Sequence, residues 1–158
     1  MSIFRDLGVR DGKDRLKEGM LYNLAACYVN AERRIAQTLA PFGLSPVKMN
    51  ALLMIRHAAG GRGLSQSELC KKMIVSAGNI TRLVDRLEKE GLAGRSSVKD
   101  RRVKLLQVTP KASALLDKAW PVYKKEINRI ASLVPEKEVA RVNAVLDKIR
   151  CKLADVPT

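Results

Sequence analysis

Apolar residues recur at intervals of three and four early in the chain: Leu16, Met20, Leu24, Cys27, Ala31, Ile35 and Leu39 fall on one stripe. That spacing predicts a long amphipathic helix from about Lys13 to Ala40. It ends at "APFGLSP", where Pro41 and Gly43 break the run. Ser45-Pro46 then restarts a helix, with serine as N-cap and proline at the first helical position. This second helix runs through "VKMNALLMIRHAA" to the glycine-rich break at 60–63. Ser65, followed three residues later by Glu68, forms a capping-box pattern that opens a short third helix. The fourth, "AGNITRLVDRLEKE", starts after Ser76, its expected N-cap. Ile80, Leu83, Val84 and Leu87 share one face, Asn79, Arg82, Asp85 and Arg86 lie mainly on the other, and Gly91 stops the helix.

The period then changes. Leu92–Val98 and Val103–Val108 read as two short strands joined by "KDRR". The Leu105-Leu106 pair breaks strict alternation, and Leu106 and Val108 are expected to face inward. Thr109-Pro110 repeats the N-cap and proline device. A long helix follows to about Leu133, and after Pro135 a last one runs to about Leu153. The fold class is therefore mainly α with a small β-hairpin wing. A winged helix-turn-helix unit at 45–110 is flanked by dimerisation helices at 1–44 and 111–158, all forming one unit. The outer helices are too long and too apolar for a lone small domain, and a second copy of the chain is the simplest cover for their spare stripe.

Charge adds a partner. The formal net charge is +14 and the pI about 10.1, which points to a polyanion, usually nucleic acid and less often a membrane surface. Residues 62–111 hold 12 Lys/Arg against 5 Asp/Glu, so half of the excess lies in a third of the chain. That concentration favours a dedicated binding surface. No apolar run approaches the roughly 20 residues of a spanning helix, and "MSIFRDLGVRDGKDR" lacks the apolar core of a signal peptide. The expectation is a cytoplasmic chain with no membrane partner. Cys27, Cys70 and Cys151 have no paired metal spacing and are expected in small, buried or half-buried helix positions, the alternative being a redox-sensing thiol, with no metal or cofactor. His57, the single histidine, has no evident nucleophile or carboxylate partner. With no Cys-x-x-Cys, P-loop or dinucleotide glycine pattern, the sequence offers no basis for an enzyme.

The stretch "LSQSELCKKMIVSAGNITRLVDRLEKEGLAGRSSVKDRRVKLLQVTPKA" resembles the MarR family of bacterial winged-helix transcriptional regulators. "VSAGNITRLVDRLEKEGL" is similar to the family's recognition helix, and "DRRVKLLQVTPKA" to its wing signature. Ile74 departs from the glycine that many members carry before "VS". The resemblance implies a homodimer on a pseudo-palindromic operator in double-stranded DNA. Members are commonly repressors released by small molecules, though activators exist, so an effector of unknown identity is expected.

Physical chemistry and resemblance meet at the same residues. Ala77 and Gly78 allow close approach of the helix start to DNA, Asn79 suits adenine, and Arg82 suits guanine or phosphate. Ser76 and Thr81 complete this set, Arg86 lies one turn further toward phosphate, and Gln66 can serve both capping and phosphate contact. Asp85 and Glu88 are expected to face cations or to point away from DNA. The resemblance places Arg102 in the minor groove with Asp100 aiming it through a bidentate pair, while Lys99, Arg101 and Lys104 serve phosphates. The plainer alternatives are a solvated helix face and a charged turn kept polar for solubility. For the whole chain the alternative is a non-specific architectural or protein-interaction subunit. Tyr22, Tyr28, Met54, Trp120 and Tyr123 are candidates for an effector pocket, or else core. Cys27 lies too far along its helix to match the cysteine of the family's peroxide-sensing branch.

Overall fold

A computed structural model of the 158-residue chain describes residues 15–58, 62–73, 77–97 and 104–155. Helix α1 (Leu16–Leu39) passes through a 3-10 turn (Ala40–Phe42) to Gly43, whose φ of 65° reverses the chain. Ser45 then caps α2 (Pro46–Arg56) by accepting from the Lys48 amide, with proline at the first position. The helix stops three residues before the expected Ala59. The His57 amide still reaches Leu53, but Ala58 turns back onto Ile55, a tighter closure that ends the α-helical run.

The capping box is present. Ser65 accepts from the Glu68 amide, and the Glu68 carboxylate accepts from the Ser65 amide at 2.8 Å, opening α3 (Gln66–Lys72). Helix α4 (Ala77–Lys89) ends in a Schellman motif. The Leu92 amide reaches the Leu87 carbonyl at 2.8 Å, the Gly91 amide reaches Glu88 at 2.9 Å, and Gly91 takes a φ of 68°.

The sheet has three strands where two were expected. A two-residue β1 (Leu64–Ser65) pairs antiparallel with β3 (Lys104–Val108), which also pairs with β2 (Ala93–Ser97), in the order β1-β3-β2. Two residues show no alternation, so β1 left no trace in the hydropathy pattern. Its local signature is Gly63, at φ 86°, where an added Cβ would lie 2.2 Å from the Leu106 carbonyl oxygen. Only glycine lets β1 lie this close to β3. The Leu105-Leu106 ambiguity resolves as expected: Leu106 is buried opposite Leu64, whereas Leu105 is half-buried opposite Ser65 and Ser96. Val108 is half-buried against the core.

Thr109 caps α5 (Pro110–Ala131), accepting from the Ala112 amide, and α6 (Glu136–Ala154) follows. One contiguous core links Leu39, Leu52, Ile55, Leu69, Val84, Leu87, Leu106 and Leu116, so the end of α1 and the first half of α5 pack directly on the winged unit. Most of the remaining α1 positions are exposed, although Gly19 is buried and Ile35 packs against the core. Of its seven-residue stripe only Leu39 is buried, while Leu16, Met20, Leu24 and Cys27 face outward. Helix α6 contains no buried residue at all. The expectation that all three cysteines are at least half-buried is corrected accordingly: Cys27 and Cys151 are exposed and only Cys70 is half-buried. Their helices turn these faces away from the chain's own core.

Candidate nucleic-acid interface

Helix α4 is held by its apolar face. Ile80, Leu83, Val84 and Leu87 are buried, and each is worth roughly 1.5–3 kcal/mol as an upper bound. Polar contacts add less energy but fix the rotation and slide of the helix. Near its start, Gln66 Nε2 donates to Thr81 Oγ1 at 2.9 Å, tying α3 to α4. At its end, Lys48 of α2 pairs with the Glu90 carboxylate, Lys111 Nζ donates to the Glu90 carbonyl at 2.8 Å, and Thr109 Oγ1 donates to the Gly91 carbonyl at 2.8 Å. The N-cap threonine of α5 thus also anchors the C-terminus of α4.

The opposite face carries what the sequence singled out. Gly78, Asn79, Thr81, Arg82 and Arg86 are all exposed. A Cβ at Gly78 would meet nothing within 4 Å, so the space beside the helix start is open to a partner. Among the described residues Arg82 and Arg86 enter no ion pair, and their cationic groups face solvent. The two carboxylates of this helix do not pair along it. Glu88 Oε1 lies 3.0 Å from Arg95 Nε on β2, and Asp85 Oδ1 lies 3.9 Å from Arg95 Nη2. Of the two placements expected for these acids, facing a cation or pointing away from DNA, the first is found, and the cation is Arg95, which the sequence analysis did not single out. The signal was its register: a lone arginine on the same strand face as buried Ala93.

Gln66 is only partly available, because its amide is engaged by Thr81. Lys104 is exposed at the end of β3, across from Ser97. Ala77 opens α4. Ser76, Lys99, Asp100, Arg101 and Arg102 lie outside the described residues. The Asp100–Arg102 pair therefore stays an expectation.

A second feature lies behind the helix-turn-helix. A cavity of about 330 Å³ opens between α1, α2 and the end of α3, lined by apolar Ile35, Val47, Met54 and Met73 and by polar Tyr28, Glu32, Asn50 and Lys72. Tyr28 and Met54 were among the expected pocket residues. Tyr22, Trp120 and Tyr123 do not line it. Tyr123 packs instead against Trp120, with ring centroids 5.8 Å apart, and donates to Asn50 Oδ1 at 3.5 Å. Burial raises the Tyr123 phenol above its ordinary pKa. No single helix among the described residues is long and apolar enough to cross a membrane.

Comparison with known proteins agrees with this architecture. The MarR family model matches residues 42–103, from the turn before α2 into the wing. The chain is 31% identical over 127 residues to the HTH-type transcriptional regulator MhqR of Bacillus subtilis, covering 80% of this chain and 86% of that protein. A mutant MarR from E. coli complexed with operator DNA superimposes with a TM-score of 0.76 at 21% identity, covering 88% of this chain and 99% of the other. The organohalide-sensing transcriptional regulator RdhR, in its 2,4-dichlorophenol-bound form, gives a TM-score of 0.78 at 18% identity, covering 90% and 86%. With a winged helix whose exposed face is basic and a relative matched over most of both lengths, the chain belongs to the MarR family of DNA-binding transcriptional regulators.

Proposed function

We propose that the chain acts in the cytoplasm as a homodimeric, sequence-specific repressor on a pseudo-palindromic operator. The observation that carries this reading is α4: its apolar face is locked into the core while Asn79, Arg82 and Arg86 stand exposed on the other side. In this reading Asn79 and Arg82 read base edges and Arg86 and Lys104 hold phosphates. Ser76, Ala77, Gly78 and Thr81 form the close-approach surface, Gln66 adds a backbone contact, and Lys99, Asp100, Arg101 and Arg102 form the minor-groove element.

The dimer is supported by exposed apolar residues on both terminal helices. Leu16, Met20 and Leu24 on α1 and Val142, Val145, Leu146 and Leu153 on α6 face outward. Residues 1–44 and 111–158 would then build the dimer and 45–110 the DNA-binding unit. The two copies of α4 would enter successive major grooves about 34–36 Å apart. The cavity suits a small, partly apolar effector, in keeping with the phenol-bound state of RdhR.

Selection of bound duplexes from a random DNA pool tests the proposal. A palindromic consensus with half-sites one helical turn apart is the expected result. Affinity should also fall with log salt at a slope of about −0.9 per neutralised phosphate. Enrichment of no sequence, with equal binding to every duplex, would favour the architectural reading instead.

A further inference from the structure

Arg95 is the one charged residue of β2, and its register is unusual for a cation. It pairs across the ladder with Leu106, so its side chain leaves the sheet on the face that Leu106 buries. At that edge of the core it meets α4, with Nε 3.0 Å from Glu88 and Nη2 3.9 Å from Asp85. One planar guanidinium thus spans two carboxylates a turn apart, which the single point charge of a lysine does less well. The group stays more than one third exposed, and Asp85 is largely open to solvent, so the arrangement contributes little to folding. Its consequence lies elsewhere. Asp85 stands between Arg82 and Arg86 in the sequence of α4, and a bare carboxylate there would repel the same phosphates that those arginines attract.

We propose that Arg95 is a positioning residue for DNA binding: it neutralises Asp85 and Glu88 and fixes the angle between α4 and the β2–β3 hairpin. The proposal rests on the DNA-binding reading above. Arg95 acts through the two acids and touches no phosphate itself. The angle it sets decides where Lys104, at the hairpin end of β3, arrives relative to Arg82 and Arg86.

The test is a double-mutant cycle on the duplex that the wild-type chain enriches from a random pool. Arg95→Gln is expected to weaken binding about tenfold, with an unchanged melting temperature. The slope of log affinity against log salt should stay as in the wild type, because a lost phosphate contact would reduce it by about 0.9. Adding Glu88→Gln to Arg95→Gln should recover at least half of the lost log affinity, a larger gain than Glu88→Gln gives in the wild type. Wild-type affinity of Arg95→Gln would overturn the proposal. So would a slope reduced by a full phosphate contact, or a Glu88→Gln effect equal in both backgrounds. If Arg95→Gln lowers the melting temperature, Arg95→Lys decides, since it keeps the charge and loses the fork: it should hold the melting temperature and still weaken binding severalfold, and wild-type affinity would overturn the proposal. A wild-type chain that enriches no duplex would instead remove the underlying reading.

Discussion

Lys48 Nζ lies 2.6 and 2.7 Å from the two carboxylate oxygens of Glu90, joining α2 to the residue that follows α4. The lysine side chain is only 11% exposed, whereas the glutamate is 36% exposed. The pair therefore sits at the edge of the core, with the ammonium on the inner side. Lys48 is flanked by Pro46, Val47 and Asn50, which line the cavity, so α2 carries both the cavity wall and an anchor of α4.

Truncating the acid is expected to hurt more than removing the pair. Glu90→Ala leaves a nearly covered ammonium without its partner, at a cost of about 1–3 kcal/mol. Adding Lys48→Met should recover much of that loss. Urea unfolding at fixed protein concentration reads both effects as shifts of the midpoint with constant slope. A Glu90→Ala chain as stable as the parent would contradict the contact.

Gly63 and Gly43 both have positive φ but differ in surroundings. An added Cβ at Gly63 would strike the Leu106 carbonyl, whereas at Gly43 it would meet nothing within 4 Å. Gly43→Ala should cost about 1 kcal/mol for its backbone conformation alone. Gly63→Ala should cost clearly more, because β1 must also move off β3. Faster amide exchange at β1, seen in Gly63→Ala and not in Gly43→Ala, would locate the difference.

The capping box should respond to acid. Hydrogen bonds from the Ser65 side chain and amide hold the Glu68 carboxyl below its ordinary pKa, helped by Lys72 and Lys71 and opposed by slight desolvation. A folded-state pKa below the unfolded one gives stability that is present above the unfolded value and lost as pH falls through the folded value. Glu68→Gln should therefore differ from the parent near neutrality and converge with it in acid. Ser65→Ala should bring the Glu68 titration, followed by NMR, back toward the ordinary carboxylate range.

The cations of α4 and those proposed for the minor groove and the phosphates should separate by role. Arg82→Ala should lose about 1–3 kcal/mol of specific binding and relax the consensus at one position, as should Arg102→Ala if it enters the minor groove. Lys104→Ala should weaken all duplexes alike and reduce the salt slope by about 0.9. Fluorescence anisotropy across a salt series distinguishes these outcomes.

The outward apolar faces make a prediction about assembly. Leu24→Glu on α1 and Leu146→Glu on α6 place a carboxylate in the proposed dimer seam, where burying an unpaired charge is costly. Sedimentation should show each shifted toward monomer, with a weakened grip on a full palindrome and little change for a half-site. Unchanged dimers in both variants would place the interface elsewhere.

Local chemistry made much of the fold legible before any tertiary information. Ser45-Pro46, the Ser65/Glu68 box, Gly91 and Thr109-Pro110 each satisfy or terminate backbone hydrogen bonds within a few residues, so their meaning is carried by the residues themselves. The apolar face of α4 was equally plain, since four buried positions repeat at the helical period. From that face followed the exposure of Asn79, Arg82 and Arg86.

What pairs residues distant in the chain was decided only on folding. Strand β1 is too short to show a period and exists because β3 offers it a ladder beside Gly63. Arg95 acquires its role from the register of β2 on β3 and from α4 packing beneath it, while Lys48 meets Glu90 across 42 residues. Periodicity reports which face of an element is apolar, but it does not carry the distance between elements. The sequence by itself therefore determined the helices, the two longer strands, the caps at Ser45, Ser65 and Thr109 and the basic face of α4. The tertiary structure alone decided which cation answers which carboxylate and where α1, α2 and α3 leave a cavity, because those outcomes depend on packing between segments that no local pattern encodes.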